Sequence, residues 1–159
     1  MPRRRRKSPV PYFEWLVAFR TAQHAIAKAY DETVGKNPPL PAFGAVFRIV
    51  VNKVILPKFR DLLAKKKGVE SMEEIYDMLV DTLDWAVKTP EVRDAIRVAV
   101  AELGVGKVEG LSVDEVARAV YEALPTILEY LRAHRDEILA ELKATGLVLK
   151  SKGAAKAAA

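Results

Sequence analysis

Residues 71–90, SMEEIYDMLVDTLDWAVKTP, spell out a helix together with both of its boundaries. Ser71 followed three residues later by Glu74 is a capping box, in which the side chains at the two ends of the first turn satisfy each other's orphan backbone donors. Ile75, Leu79, Thr82 and Ala86 then recur at helical spacing and mark the inward face to about Lys88. Thr89-Pro90 closes that helix and opens another, because threonine is a good N-cap and proline is preset for the first helical position. No stretch nearby shows the period-two alternation of a strand. The fold class is therefore all-α.

Reading outward toward the C-terminus, the helix opened at Pro90 ends at Gly104, and residues 104–110 form a glycine-rich loop. Ser112 with Glu115 is a second capping box. Its helix runs to Pro125, where proline should kink it or force a restart, and a last helix ends near Gly146. Four short helices with brief connections over residues 68–146 predict an antiparallel bundle. Residues 147–159 are a Lys/Ala-rich tail of biased composition.

Toward the N-terminus the composition changes at Gly68. A helix is predicted from Tyr12 to about Thr33, with Trp15, Phe19, Ala22, Ile26 and Tyr30 on one side and Arg20, His24 and Lys28 on the other. Gly35 and the run Asn37-Pro38-Pro39-Leu40-Pro41 end it in a stiff connector. A second helix, from Ala42 to about Lys66, is apolar on almost every side as far as Leu56, the pattern of a helix surrounded by protein, so it calls for a partner. Pro57 inside it predicts a bend or a break. Before Tyr12, four consecutive arginines, Lys7 and prolines at 2, 9 and 11 predict an extended arm. Residues 1–67 thus read as a basic N-terminal arm with a helix-turn-helix, followed by the bundle.

Charge is distributed unevenly along the chain. The 159 residues carry a net charge of +5, yet residues 1–67 hold 15 Lys/Arg against 4 Asp/Glu, while residues 68–145 hold 8 against 17. The candidate nucleic-acid contacts are Arg3, Arg4, Arg5, Arg6 and Lys7 of the arm, and Arg20, His24 and Lys28 of the first helix. To these we add Arg48, Lys53, Lys58, Arg60, Lys65, Lys66 and Lys67 of the second helix, and Lys152 and Lys156 of the tail. Adjacent guanidinium groups attract polyanions by charge and by forked hydrogen bonds, and duplex nucleic acid presents a phosphate charge about every 1.7 Å of its axis. An excess of +11 matches the phosphates of about five base pairs, so two subunits would cover about one turn. No zinc-finger spacing, RNA-recognition aromatic motif or glycine clamp is present, which predicts binding indifferent to base sequence.

Other chemistry is poorly represented. With no cysteine, disulfides, thiolate metal sites and cysteine nucleophiles are excluded. The acidic stripe Glu73, Glu74, Asp77, Asp81 and Asp84 reads as a solvated helix face, one able to pair with a neighbouring subunit's basic arm. His134 reads as a surface residue with no second ligand at metal spacing. There is no phosphate-cradling loop, nucleophile elbow or zinc-binding histidine pair, so neither an enzyme nor a cofactor or metal is expected. The most apolar run, Ala42 to Leu56, is interrupted by Arg48, Asn52 and Lys53 and is shorter than the roughly 20 residues of a membrane span. The basic start lacks the apolar stretch of an export signal.

In the order of its parts the chain resembles the major capsid proteins of filamentous and rod-shaped double-stranded DNA viruses of hyperthermophilic archaea. The resemblance covers the whole chain and rests on architecture: Arg3 to Lys7, the helix with Arg20 and Lys28, the Pro38-Pro39 turn, the kinked helix through Lys67, and the bundle of residues 69–145. It implies that the basic segment wraps double-stranded DNA in the A form, and that like or homologous subunits pair within a helical array. The place of action would be the virion nucleocapsid, with the host cytoplasm as the site of assembly. Two other readings fit the same residues: a cellular chromatin-like DNA-binding protein, to which the Lys/Ala tail points, and a helical scaffold whose arm docks on an acidic partner.

Overall fold

A computed structural model describes residues 12–66 and 71–145. The described residues are helical, with no strand among them: α1 (Tyr12–Glu32), α2 (Phe43–Val50), α3 (Leu56–Lys65), α4 (Met72–Lys88), α5 (Pro90–Glu102), α6 (Val113–Ala133) and α7 (Arg135–Ala144). The serine half of each capping box forms. The Ser71 hydroxyl accepts from the Glu74 backbone N–H at 3.1 Å, and Ser112 does the same for Glu115. Pro90 opens α5, and Gly104 follows its end at φ +80°, the left-handed conformation that a side chain would strain.

Pro57 neither breaks nor ends its helix. Val51–Ile55 form a single π-helical turn that joins α2 to α3 without interruption. The extra residue of that wide turn gives the proline ring room where, in a regular α-helix, it would clash with the carbonyl four residues back. Pro57 itself is exposed, whereas Ile55, Leu56 and Phe59 beside it are buried. Pro125 forces no restart. Helix α6 continues through it, with the proline on the exposed face, where the carbonyl it leaves unbonded can meet water, while Leu124, Ile127 and Leu128 face inward. The chain breaks instead at His134. There the ring stacks on Tyr130 with centroids 3.9 Å apart, the backbone leaves helical geometry at φ −116° and ψ 29°, and its carbonyl receives the Ile138 N–H of the next helix at 3.0 Å. His134 is thus a half-buried joint and not the surface residue expected.

The second helix was expected to need a partner, and much of its cover comes from within the chain. Phe43, Phe47, Val50, Val51, Ile55, Leu56, Phe59 and Leu63 are all buried, in one hydrophobic core that also holds the inward residues of α4 to α7. Trp15 of α1 packs on Phe59 at 6.0 Å between ring centroids, and Tyr30, at the other end of α1, packs on Phe43 and Phe47. Helix α1 also contacts α4, α6 and α7. Its buried face is Val17, Ala18, Thr21, Ala22, Ala25, Ile26 and Ala29, mostly alanines that allow neighbouring backbones to approach. The Thr21 hydroxyl reaches the Met72 Sδ at 3.3 Å. The described part of residues 1–67 therefore shares its core with residues 71–145.

The break at His134 leaves a carbonyl in the last turn of α6 without a helical donor, and the interior supplies one. Tyr76 of α4, fully buried, donates its hydroxyl to the Leu131 carbonyl at 2.5 Å. Burial holds the Tyr76 phenol above its ordinary pKa and so keeps it a donor. Tyr76→Phe should lower stability by about 1–3 kcal/mol in a denaturant titration, because it strands a buried acceptor; an unchanged midpoint would show that the carbonyl finds another donor.

Candidate nucleic-acid interface

Of the candidate cations, Arg3, Arg4, Arg5, Arg6, Lys7, Lys67, Lys152 and Lys156 lie outside the described residues. The others are on α1, on α2, on the π turn, and on α3 or, for Lys66, just past its end, and they do not form one stripe. Arg20, Arg48 and Lys65 are exposed with no ion-pair partner among the described residues. Arg48 stands near Tyr30, whereas Arg60 lies over the Trp15 ring at 4.8 Å, at the opposite end of α1. Lys58 lies over Trp85 at 5.2 Å, so both Lys58 and Arg60 spend part of their charge on an aromatic face. Lys53 faces Glu102 at 3.6 Å and Lys66 faces Glu74 at 3.6 Å.

Two basic side chains of the first helix face the last one. The Lys28 ammonium donates to Glu141 at 2.8 Å and lies 3.5 Å from Glu137, and His24 Nε2 is 3.5 Å from Glu141. The hydrogen bond to Glu141 is the main reason the Lys28 pKa is raised, and the same bond holds the Glu141 carboxyl below its usual value. Lys28 is therefore occupied within the chain, although periodicity alone placed it on a free cationic face.

Four of the five acids of the α4 stripe are paired from within the chain, Glu74 with Lys66 among them. Arg135 grips Asp77 with two hydrogen bonds, 2.8 and 3.0 Å long, and Lys143 donates to Glu73. Arg132 at 3.2 Å and Lys88 at 3.0 Å share Asp84. Sequence spacing did contain the acidic half of this ladder. The basic half is split between α6 and α7 across the His134 joint, so no single helical period reveals it. Sequence reading also missed Arg93 and Arg97 on α5, which are held over Tyr121 at 4.3 Å and against Asp114 at 2.6 Å.

The consequence is a charge ledger unlike the one the sequence halves suggested. The described residues hold 17 Lys/Arg against 20 Asp/Glu, a net of −3, and the rest of the chain holds 9 against 1, a net of +8. Five of those nine cations are in residues 1–11 and three are in residues 146–159, while Lys67 and Glu70 cancel. The helical body is mildly acidic and largely self-paired; the excess positive charge belongs to the two ends of the sequence.

Among the described residues no helix is long and apolar enough to cross a membrane, and no three His, Asp or Glu side chains converge as a metal site would require. The chain matches no family model, no curated protein and no solved structure.

The acidic partners on α7 and α4 give the body a pH dependence. Hydrogen bonds from Lys28 and Lys143 depress the Glu141 and Glu73 pKa values below 4.5. A depressed carboxylate contributes its stability above the unfolded value and loses it as pH falls through the folded one. Amide exchange in α7 should therefore speed up selectively as pH drops below about 4, after correction for the intrinsic rate. Protection in α7 that stays level between neutral pH and pH 3 would show that the ion pairs contribute nothing there.

Proposed function

We propose that this protein is a structural, DNA-packaging component: it coats double-stranded DNA without reading base sequence and assembles as a repeating subunit of a helical filament. The observation that carries the reading is the segregation of charge. A self-paired body of net −3 is joined to end segments of net +8, and Arg3 to Lys7 concentrate five cations in as many positions. Clustered guanidinium groups release condensed counterions when they meet phosphates, a gain that depends on charge density and not on base identity. A body with little net charge of its own can be packed side by side along a polyanion with little repulsion between copies.

In this reading the basic segment of residues 1–67 faces the duplex, with the exposed Arg20 and Lys65 adding backbone contacts. The helices of residues 68–146 form the outward bundle, and residues 147–159 add a second, weaker cationic contact. Paired subunits enclose the DNA, and a dry protein sleeve with neutralised phosphates favours the A form. The place of action is a virion nucleocapsid, assembled in the host cytoplasm. Lys28 is left out of the contact set, since Glu137 and Glu141 of α7 hold its ammonium.

The test is the salt dependence of duplex binding by the full chain. Replacing Arg3, Arg4, Arg5, Arg6 and Lys7 together by alanine should reduce the slope of log K against log salt by about 4 to 5, the loss of five phosphate contacts. K28A should leave the slope unchanged. An unaltered slope in the arm variant, or equal affinity for an acidic polypeptide of matched charge, would overturn the packaging reading; the latter result would favour the scaffold.

A further inference from the structure

Where α5 meets the π turn and the end of α4 lies an open groove of about 640 Å³. Val54 of the π turn, Trp85 of α4, and Val92, Ala95 and Val98 of α5 line it. On α5 these positions are three or four residues apart, so they form one apolar stripe along the helix. Val98 is one of two large apolar side chains left exposed among the described residues, at 55%. The stripe is bounded by Glu91 and Glu102, about 16 Å apart along the helix axis. Lys53 is engaged by Glu102 and Lys58 by the Trp85 ring, whereas Glu91 has no ion-pair partner among the described residues.

An apolar stripe with an acid at each end suits a short apolar segment followed by a cation, and the chain contains one. Outside the described residues the only run of large apolar side chains is Leu147-Val148-Leu149, and Lys150 and Lys152 follow it at once. Three extended residues span about 10 Å, less than the length of the stripe. With a glutamate at either end, a lysine meets an acid whichever way the segment lies. The chain's own segment cannot reach this groove. Lys143, near the end of α7, donates to Glu73 in the first turn of α4, whereas Trp85 stands twelve positions further along that helix, about 18 Å away. Fully extended chain carries Leu147 at most about 7 Å past Thr145 and Leu149 about 14 Å, too short to lay the triplet in the groove. An occupant with this sequence has to come from another copy.

We propose that the groove seats Leu147 to Leu149 of a neighbouring copy, with a lysine of that copy against its acidic rim. Donor and groove are different surfaces of one chain, so the contact is head-to-tail: every copy that receives a segment still has its own to give, and growth continues without closure. The joint deepens the packaging reading and rests on it for its use, as a lengthwise link in the filament, but it forms without nucleic acid. Lys152 and Lys156 stay available to phosphates.

Sedimentation of the full chain, freed of nucleic acid and loaded up to about 100 µM, reads the joint. The wild type should grow past a dimer as concentration rises. L147S/V148S/L149S removes the donor, and A95E/V98E puts charge into the groove at two exposed positions. Each variant alone should lose that growth, its association weakened by at least about tenfold. Mixed, the two should bind each other one to one, because one keeps an intact groove and the other an intact donor. Unchanged helical circular dichroism checks the fold of each variant. A wild type of constant size across that range, variants that grow as the wild type does, or a mixture whose members ignore each other would each overturn the proposal. A wild type that does not grow yet binds duplex with a steep salt slope would sink the joint and leave the packaging reading standing; growth without duplex affinity would do the reverse.

Discussion

The docking of α7 between α1 and α4 is the constraint on which the rest of this molecule depends. The helix buries Ile138, Leu139 and Leu142. It also holds α1 through Glu137 and Glu141 and α4 through Arg135 and Lys143. The two kinds of contact do different work. A fully buried leucine or isoleucine contributes on the order of 1.5–3 kcal/mol, whereas exposed ion pairs contribute about 0–1 kcal/mol each. The apolar face therefore supplies the attachment, and the charges fix which way round a short helix lies. Docking in turn requires the joint at His134, and the joint creates the carbonyl that Tyr76 satisfies from the middle of the core.

This arrangement explains which features were legible in the sequence. Short-range signals were: the capping boxes at Ser71 and Ser112, proline at the start of α5, Gly104 after its end, and the apolar period of the first helix are all decided within a turn or two of the chain. The responses to Pro57 and Pro125 were not. Whether a proline breaks a helix depends on the room a π turn provides and on whether the freed carbonyl faces water, and both are properties of the packed molecule. His134 carries no breaker signature, yet the chain turns there because α7 must return across α1 and α4.

The candidate interface was legible in the same uneven way. The dense cluster Arg3 to Lys7 is visible as composition. The cationic face of α1 is visible as period, but its destination is not, since Lys28 and Glu141 are 113 positions apart. A helical period says which side of α1 is polar and cannot say which helix lies against it. The same limit hid the groove beside Trp85, which exists only once α5 is placed against the π turn. Seen from the packed molecule, the positive charge of the first 67 residues divides into a part consumed in holding the body together and a part left over. The part left over is the one that carries the functional reading.

If α7 ties the body together, α1 belongs to the same cooperative unit as α4. Native-state hydrogen exchange measures this directly. The amides of Ala22 to Ala29 in α1 and of Leu79 to Leu83 in α4 should open with the same free energy, equal to that of global unfolding, and Leu142→Ala should lower both by the same amount, about 2–5 kcal/mol. If α1 opens independently at much lower free energy, with α4 unaffected by the α7 substitution, then the first helices form a separate unit and the account is wrong.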